Sequence, residues 1–434
     1  MYNLFLLGRC NLRCSYCFAE GYRTDLGGPK QQDGGAGGVM SPDTYARILD
    51  FLKESGVPIV SLIGGEPTLH PEFIPFVTLA LQKGLAVSVK TNAFWGEKVA
   101  GEILRLPVEE IHYLLNINSP RALGARRWQR VAENARRMRG RNVDFQFNIY
   151  GPDFSWDEFL GLAKAVRPNR IVWSLSNMVK GEGDGFPAGP LAVRETYSKR
   201  ILAFVAAAGA AGIPTVGVHG ITPCMFSEED YRLLSASGGT LEPVCRPVFD
   251  ILPDLSVLYC FPMADHIGSR RLADYHDLRE LNLAFLEETA YRRSDAFPFD
   301  KCFDCDYSRR LVCDGGCLAR NLDRLGASSS GEDRFFDRIP VRTQAFRLEK
   351  DAEVTLLVNA DSGDRYPVDP PLVALLEAAD GHNTLGALRR LAFGRFDGNP
   401  RTEEVFREVV TDFLARGVLA LRPYREAGKP RQIP

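Results

Sequence analysis

Three thiols fall within eight residues near the start of the chain: Cys10, Cys14 and Cys17, spaced C-x3-C-x2-C. Thiolates are soft ligands, and this spacing wraps three of them around one small volume, suited to one iron–sulfur cube or one zinc. A structural zinc site takes four protein ligands, yet the nearest histidine is His70 and the next cysteine is Cys224. A four-iron cluster on three thiolates leaves one iron open to an outside ligand. The missing ligand is therefore expected to be a substrate. Further on, "GGEP" (Gly64, Gly65, Glu66, Pro67) offers two glycines that permit close backbone approach and a carboxylate able to accept from an ammonium group.

Seven more cysteines cluster late: Cys224, Cys245, Cys260, Cys302, Cys305, Cys313 and Cys317, with none after them. Core cysteines would be expected to scatter, so the clustering points to a second metal-binding region. The pairs C-x2-C at Cys302 and C-x3-C at Cys313 have the look of a four-thiolate zinc site. That reading leaves Cys224, Cys245 and Cys260 without a shared purpose.

The elements that must position these groups are legible in the first half. Apolar, β-branched or aromatic runs at "YNLFLLG", "PIVSLIGG", "LAVSVKTN", "EIHYLLNIN", "VDFQFNIYG" and "RIVWSLSN" alternate with helical patterns such as "SPDTYARILDFLKESG". There Ser41 is the expected N-cap and Gly56 the stop. Alternating strands and helices predict a parallel α/β sheet, open or closing toward a barrel, with ligands at the C-terminal ends of the strands. The three-cysteine loop follows the first strand and "GGEP" the second, so both land on one edge. Thr91, Asn92, Asn116, Asn118, Asn148 and Ser174 fall near later strand ends, as candidate ribose or carboxylate contacts.

A chain of 434 residues is expected to form two or three domains. Its net charge of −2 gives no electrostatic reason to expect nucleic acid or an anionic membrane. The N-terminus lacks a signal-peptide layout, and the apolar stretch Ile201 to Val218 reads as helix, turn and strand, broken at Gly212 and Pro214. The expected location is the cytoplasm. Asp25 to Gly38 and Ala327 to Asp333 read as loop and linker, and "GEGDG" at Gly181 is not followed by a helix start.

The sequence "CNLRCSYCF" after a first strand, with "GGEP" after the second, resembles the radical S-adenosylmethionine (SAM) superfamily over roughly residues 1–220. The resemblance implies a partial (β/α)6 barrel and a [4Fe–4S] cluster on Cys10, Cys14 and Cys17, whose open iron chelates SAM. One electron, from a flavodoxin- or ferredoxin-type donor, then cleaves SAM to a 5′-deoxyadenosyl radical. Tyr16 matches the residue placed against the adenine, and Gly64, Gly65, Glu66 and Pro67 match the motif that holds the methionine amino group.

The later cysteines resemble the SPASM extension (221–334), which carries auxiliary [4Fe–4S] clusters. By analogy Cys224, Cys245, Cys260 and Cys317 fill one cluster. Cys302, Cys305 and Cys313 then hold a second, whose fourth ligand is absent, non-cysteine or brought by the substrate; a single auxiliary cluster stays open. Two departures stand out: seven residues instead of five follow the C-x2-C pair, and Leu255 replaces the glycine usual five positions before Cys260.

After the linker, "FRLEKDAEVTLLVN" and "DRYPVD" read as strands, and "PPLVALLEAADGH", "NTLGALRRLAFG" and "TEEVFREVVTDFLARGVL" as three helices. This order resembles the winged-helix-like α+β PqqD-type domain (335–434), which binds a leader peptide as an added strand. Arg365 to Val368 is the expected acceptor, since Pro367 suits a sheet edge. The combined reading is a maturase of a ribosomally made precursor peptide. Two others remain: a radical SAM enzyme acting on a small molecule or folded protein, its tail only structural, and a non-catalytic metal-binding regulator.

Overall fold

A computed structural model describes residues 2–23, 38–176, 194, 196–246, 248–325, 335–351, 354–393 and 400–423. Most of the Asp25–Gly38 loop, the Gly181 segment and the Ala327–Asp333 linker lie outside the described residues. The six strands expected in the first half all form: β1 (Tyr2–Phe5), β2 (Ile59–Ile63), β3 (Ala86–Thr91), β4 (Ile111–Asn116), β5 (Val143–Ile149) and β6 (Ile171–Leu175). The apolar stretch after Ile201 is helix Ser198–Ala210 followed by β7 (Thr215–Val218), as its glycine and proline imply. Helix α1 (Pro42–Glu54) starts where Ser41 Oγ accepts from Thr44 N (3.1 Å) and stops before Gly56, whose φ is +76°.

The sheet is larger than the six-unit partial barrel expected. β1 to β7 run parallel in sequence order, β8 (Gly239–Leu241) extends one end, and β9 (Phe249–Ile251) adds in parallel beside β1. β10 (Ser256–Leu258) and β11 (Arg270–Arg271) then pair antiparallel, giving eleven strands. Register shows what each face does. Leu4, Leu62, Val89 and Tyr113 stand in one row, Leu115, Phe145 and Ile171 in another, all buried. The alternate positions are polar: Asn3, Ser61, Ser88 and His112 in one row, Asn148 and Ser174 in another. A doubly wound sheet, covered by helices on both faces, reads apolar throughout. One apolar and one polar face is what a sheet curling around a ligand-holding interior requires.

By compactness the described residues fall into two units, one ending at Leu278, the other starting at Arg279. The break lies inside the cysteine-rich segment 221–334 and not at either of its ends. In the second unit Arg338 donates to Asp295 and to Ser294 Oγ (2.7 Å), tying helix Leu278–Asp295 to the tail. Arg422 Nη2 donates to Phe303 O (2.6 Å), so the Cys302 segment is also bonded to the tail.

The tail forms the expected elements. β13 (Phe346–Asp351), β14 (Val354–Asn359) and β15 (Arg365–Val368) make an antiparallel sheet, followed by helices Pro370–Ala378, Leu385–Phe393 and Pro400–Ala415 around Leu375, Leu376, Leu388, Phe406 and Val410. A pairing of β12 (Pro340–Arg342) with β16 (Leu419–Leu421) was not foreseen. Asn359 N donates to Asp364 O (2.9 Å), so the in-register pair Leu357–Tyr366 also exchanges hydrogen bonds. Arg365 and Pro367 therefore turn their backbone outward from the β15 edge, and Tyr366 turns its own inward.

Candidate active site

The three-cysteine loop and the glycine turn are one construction. Gly65 N donates to Leu7 O (2.8 Å) and Glu66 N to Arg9 O (2.9 Å). A Cβ on Gly64 would stand 2.9 Å from Leu7 O, and one on Gly65 2.4 Å from Arg9 O. The two glycines are required because the cysteine loop's own backbone runs against them. Glu66 caps the single turn Pro67–Leu69.

The Glu66 carboxylate is held by several donors of the chain itself. It is 1% exposed; Oε1 accepts from Thr91 Oγ1 (2.6 Å), Thr68 Oγ1 (2.7 Å) and Thr68 N (3.3 Å), and Oε2 accepts from Asn92 N (2.8 Å). An ammonium group can reach only what remains of Oε2. Burial pushes the Glu66 carboxyl up, against the pull of these four donors. Thr91 is equally engaged, since its Oγ1 also accepts from Trp95 Nε1 (2.9 Å) and Ala93 N (3.2 Å). Asn92 braces the cysteine loop: its Nδ2 donates to Asn11 Oδ1 (2.8 Å) and approaches Cys10 Sγ (3.8 Å). Glu66, Thr91 and Asn92 thus form a clamp between the two motifs.

Residues beyond the clamp leave room. Tyr16 donates its hydroxyl to Asn118 Oδ1 and stacks on Tyr150, with centroids 5.1 Å apart and planes at 23°. Cys14 Sγ lies 3.9 Å from the same oxygen. Among the described residues, buried Asn118 Nδ2 has no hydrogen-bond partner. A buried amide donor without an acceptor is costly and marks a place for a ligand acceptor. Cys14, Tyr16, Asn118, Asn148 and Tyr150 line a cleft of about 620 Å³. On the polar sheet face Asn148 Nδ2 donates to Asn116 Oδ1 (2.7 Å), and Ser174 Oγ to Asn148 Oδ1 (2.9 Å), making a ladder across three strands.

The thiols fit metal ligation in chemistry. Cys10, Cys14 and Cys17 are half-buried and form no disulfide among the described residues. Burial raises all three thiols, Cys10 to about 11, and buried Arg23 opposes that rise at each. A fixed cation beside three ligands offsets the negative charge that thiolates bring. Arg23 escaped sequence reasoning; the one signal was a cation six residues past a metal-type loop. Asn3, Lys90 and Asp250 were missed too: Lys90 Nζ donates to Asn3 Oδ1 (2.8 Å), Asn3 Nδ2 to Asp250 Oδ1 (2.7 Å), and Phe261 N to Asp250 Oδ2 (3.1 Å). The alternation of polar residues along β3 was the available cue.

The later cysteines are all half-buried, and none forms a disulfide among the described residues. Cys224, Cys245 and Cys260 belong to the first unit, and Cys302, Cys305, Cys313 and Cys317 to the second. Cys302 lies in the turn Asp300–Phe303, Cys305 caps the turn Asp306–Arg309, and Cys317 precedes helix Leu318–Leu325. Among the described residues no three Cys, His, Asp or Glu side chains stand together at metal-ligand spacing. Leu255 has φ +67°, so the position where the SPASM pattern has glycine keeps a glycine's conformation.

Comparison with known proteins places this geometry. Residues 4–166 match the family model of the radical SAM superfamily. An S-adenosylmethionine-dependent nucleotide dehydratase of Thermoplasmatales archaeon (strain ISO4-H5) is 25% identical over 193 residues, covering 43% of this chain and 65% of that protein. A GTP 3′,8-cyclase of Mannheimia succiniciproducens is 31% identical over 114 residues, covering 26% and 32%. The chain thus spans less than two thirds of either relative's length. Among solved structures, Streptococcus suis SuiB bound to S-adenosylmethionine aligns with TM-score 0.52 at 16% identity, covering 76% of this chain and 74% of that one. SuiB bound to its precursor peptide SuiA aligns with TM-score 0.51 at 17% identity, covering 76% and 73%. At such identity the likeness is one of fold. The chain carries a radical SAM superfamily domain over residues 4–166.

Proposed function

We propose that Cys10, Cys14 and Cys17 hold a four-iron cluster with an open iron for SAM, and that the enzyme modifies a ribosomally made precursor peptide. One observation carries the reading: the three-thiol loop, the glycine turn bonded to its backbone, and the unmet donor of Asn118 gather on one sheet edge. When bound, the cluster and SAM supply radical chemistry, in which one electron opens the sulfonium to methionine and a 5′-deoxyadenosyl radical. The chain's own groups prepare that site. Gly64 and Gly65 set the loop, and Glu66, Pro67, Thr91 and Asn92 fix the turn behind it. Tyr16 and Asn118 face the nucleoside, while Asn116, Asn148 and Ser174 line the polar interior. Cys224, Cys245, Cys260, Cys302, Cys305, Cys313 and Cys317 hold one or two auxiliary clusters, in a segment 221–334 between barrel and leader-binding tail. The electron comes from an external flavodoxin- or ferredoxin-type protein in the cytoplasm. Among the described residues no helix is long and apolar enough to cross a membrane.

The peptide substrate is supported by the fold likeness to SuiB, solved with its precursor peptide, and by the β15 edge of the tail, which pairs with no further strand among the described residues. An added strand would bond to the outward groups of Arg365 and Pro367. A nucleotide substrate is the second reading, favoured by the activities of the dehydratase and the cyclase to which the chain is similar. The test gives the reduced, reconstituted full chain a peptide encoded by a neighbouring short reading frame and, separately, GTP and a mixture of the other nucleoside triphosphates, with products read by mass. A modified peptide and intact nucleotides are expected. A nucleotide product with an unchanged peptide would overturn the proposal. Because only Arg365 offers an outward N–H within β15, Arg365→Pro should abolish leader binding, whereas Tyr366→Pro should chiefly weaken the sheet.

A further inference from the structure

The chain is almost neutral, but its basic residues are not evenly spread. Residues 119–142 contain eight arginines, one glutamate and no lysine. Some of this charge is used locally. Arg130 and Arg137 both pair with Glu97 (2.9 Å each), and Arg141 donates to the carbonyls of Leu104 and Pro107. Arg121 and Arg127 are different: both are exposed, and both line the cleft that Cys14, Tyr16 and Asn118 occupy, together with exposed Arg13. Arg126, beside them at the start of helix Ala125–Arg137, is exposed as well. Asp153 and Glu158 line the cleft too, so three arginines and two carboxylates share its lining, with Arg126 exposed on the adjoining helix. Tyr150, 38% exposed, sits among them and stacks on Tyr16, which bonds to the asparagine beside Cys14. Arginine and tyrosine around a fixed aromatic are the composition of a protein-docking surface.

We infer that this arginine-rimmed cleft mouth docks an acidic protein carrying a one-electron donor, reduced flavin or iron–sulfur. The inference rests on the radical SAM reading above, which requires an electron from outside. The partner is oxidised by one electron and the centre held by the three cysteines is reduced by one; no atom moves. Charge complementarity selects the partner. A local positive field on a chain of net charge −2 steers acidic partners to this one place and raises their on-rate by about 10- to 1,000-fold at low salt.

Binding is measured first, because it needs no loaded enzyme. An oxidised, fluorescently labelled flavodoxin is titrated with the full chain by anisotropy at about 20 mM and 500 mM salt. Tight binding at low salt, lost at high salt, is expected, with at least about a 10-fold weaker Kd for Arg121→Glu/Arg127→Glu. Arg121→Gln/Arg127→Gln should fall between, and guards against a charge reversal that misfolds. In the loaded enzyme the variant should lose flavodoxin-driven SAM cleavage but keep dithionite-driven cleavage. An unchanged Kd in both variants would overturn the inference. So would an equal loss with dithionite, which would assign the arginines to SAM, or weakened binding of GTP or an acidic substrate peptide with flavodoxin binding intact. If dithionite drives no cleavage even in the wild type, the radical SAM reading itself fails.

Discussion

Replacing Glu66 by glutamine tests the clamp between the two motifs. The carboxylate presents Oε1 to Thr91 Oγ1, Thr68 Oγ1 and Thr68 N, and Oε2 to Asn92 N. A glutamine that keeps its oxygen toward the threonines points an NH2 at the Asn92 N–H, donor against donor at a site spaced for 2.8 Å. The flipped amide is no better, because Thr91 Oγ1 already accepts from Trp95 Nε1 and Ala93 N and cannot take a third donor. Either way a buried charge-assisted bond is lost and a donor is stranded, which costs about 2 kcal/mol or more. For a compact unit of this size that lowers Tm by about 4–8 °C. Asn92 also supports Asn11 and Cys10, so SAM affinity and iron retention should fall together, not SAM affinity alone. Thermal unfolding of the metal-free chain, with SAM titration and iron content of the loaded one, reads both effects. An unchanged Tm would refute the reasoning, since it would mean the carboxyl already carries a proton or that its four donors have other acceptors. A loss of SAM affinity at unchanged Tm would restore Glu66 to direct contact with the ligand.

Two further outcomes are expected. Leu255→Gly should stabilise the chain by about 1 kcal/mol, because a left-handed conformation costs a branched residue about that much; the position has φ +67°, and denaturant midpoints would reveal a contrary loss. Arg23→Met keeps a long side chain but removes the cation beside the three thiols, so iron retained after anaerobic gel filtration should drop at least several-fold, with an unchanged iron content counting against a countercharge role.

Much of this arrangement was legible because period and spacing carry it. The β-branched runs fixed six strands, glycine and proline placed the β7 turn, and Ser41 capped its helix as read. The C-x3-C-x2-C loop and "GGEP" fell on one edge because each follows a parallel strand. Other features were hidden for identifiable reasons. β8 to β11 are two or three residues long, too short for any periodicity to register. Asn3, Lys90 and Asp250 are far apart in sequence and meet only because β9 pairs beside β1. The bonds of Thr91 and Asn92 to Glu66 and Asn11 were also hidden, because which neighbouring turn a strand-end polar group reaches depends on tertiary packing. Leu255 shows the reverse: its type argues against the turn, yet the hairpin between β9 and β10 imposes it.

The central claim is that the loop of Cys10, Cys14 and Cys17 generates a radical from SAM. The direct measurement is 5′-deoxyadenosine released by the anaerobically reconstituted, dithionite-reduced chain, compared with a variant in which all three cysteines are alanine. The wild type should release it in step with SAM consumed, and the variant should release none while still binding iron at its later cysteines. Undiminished release from the triple variant would contradict the account.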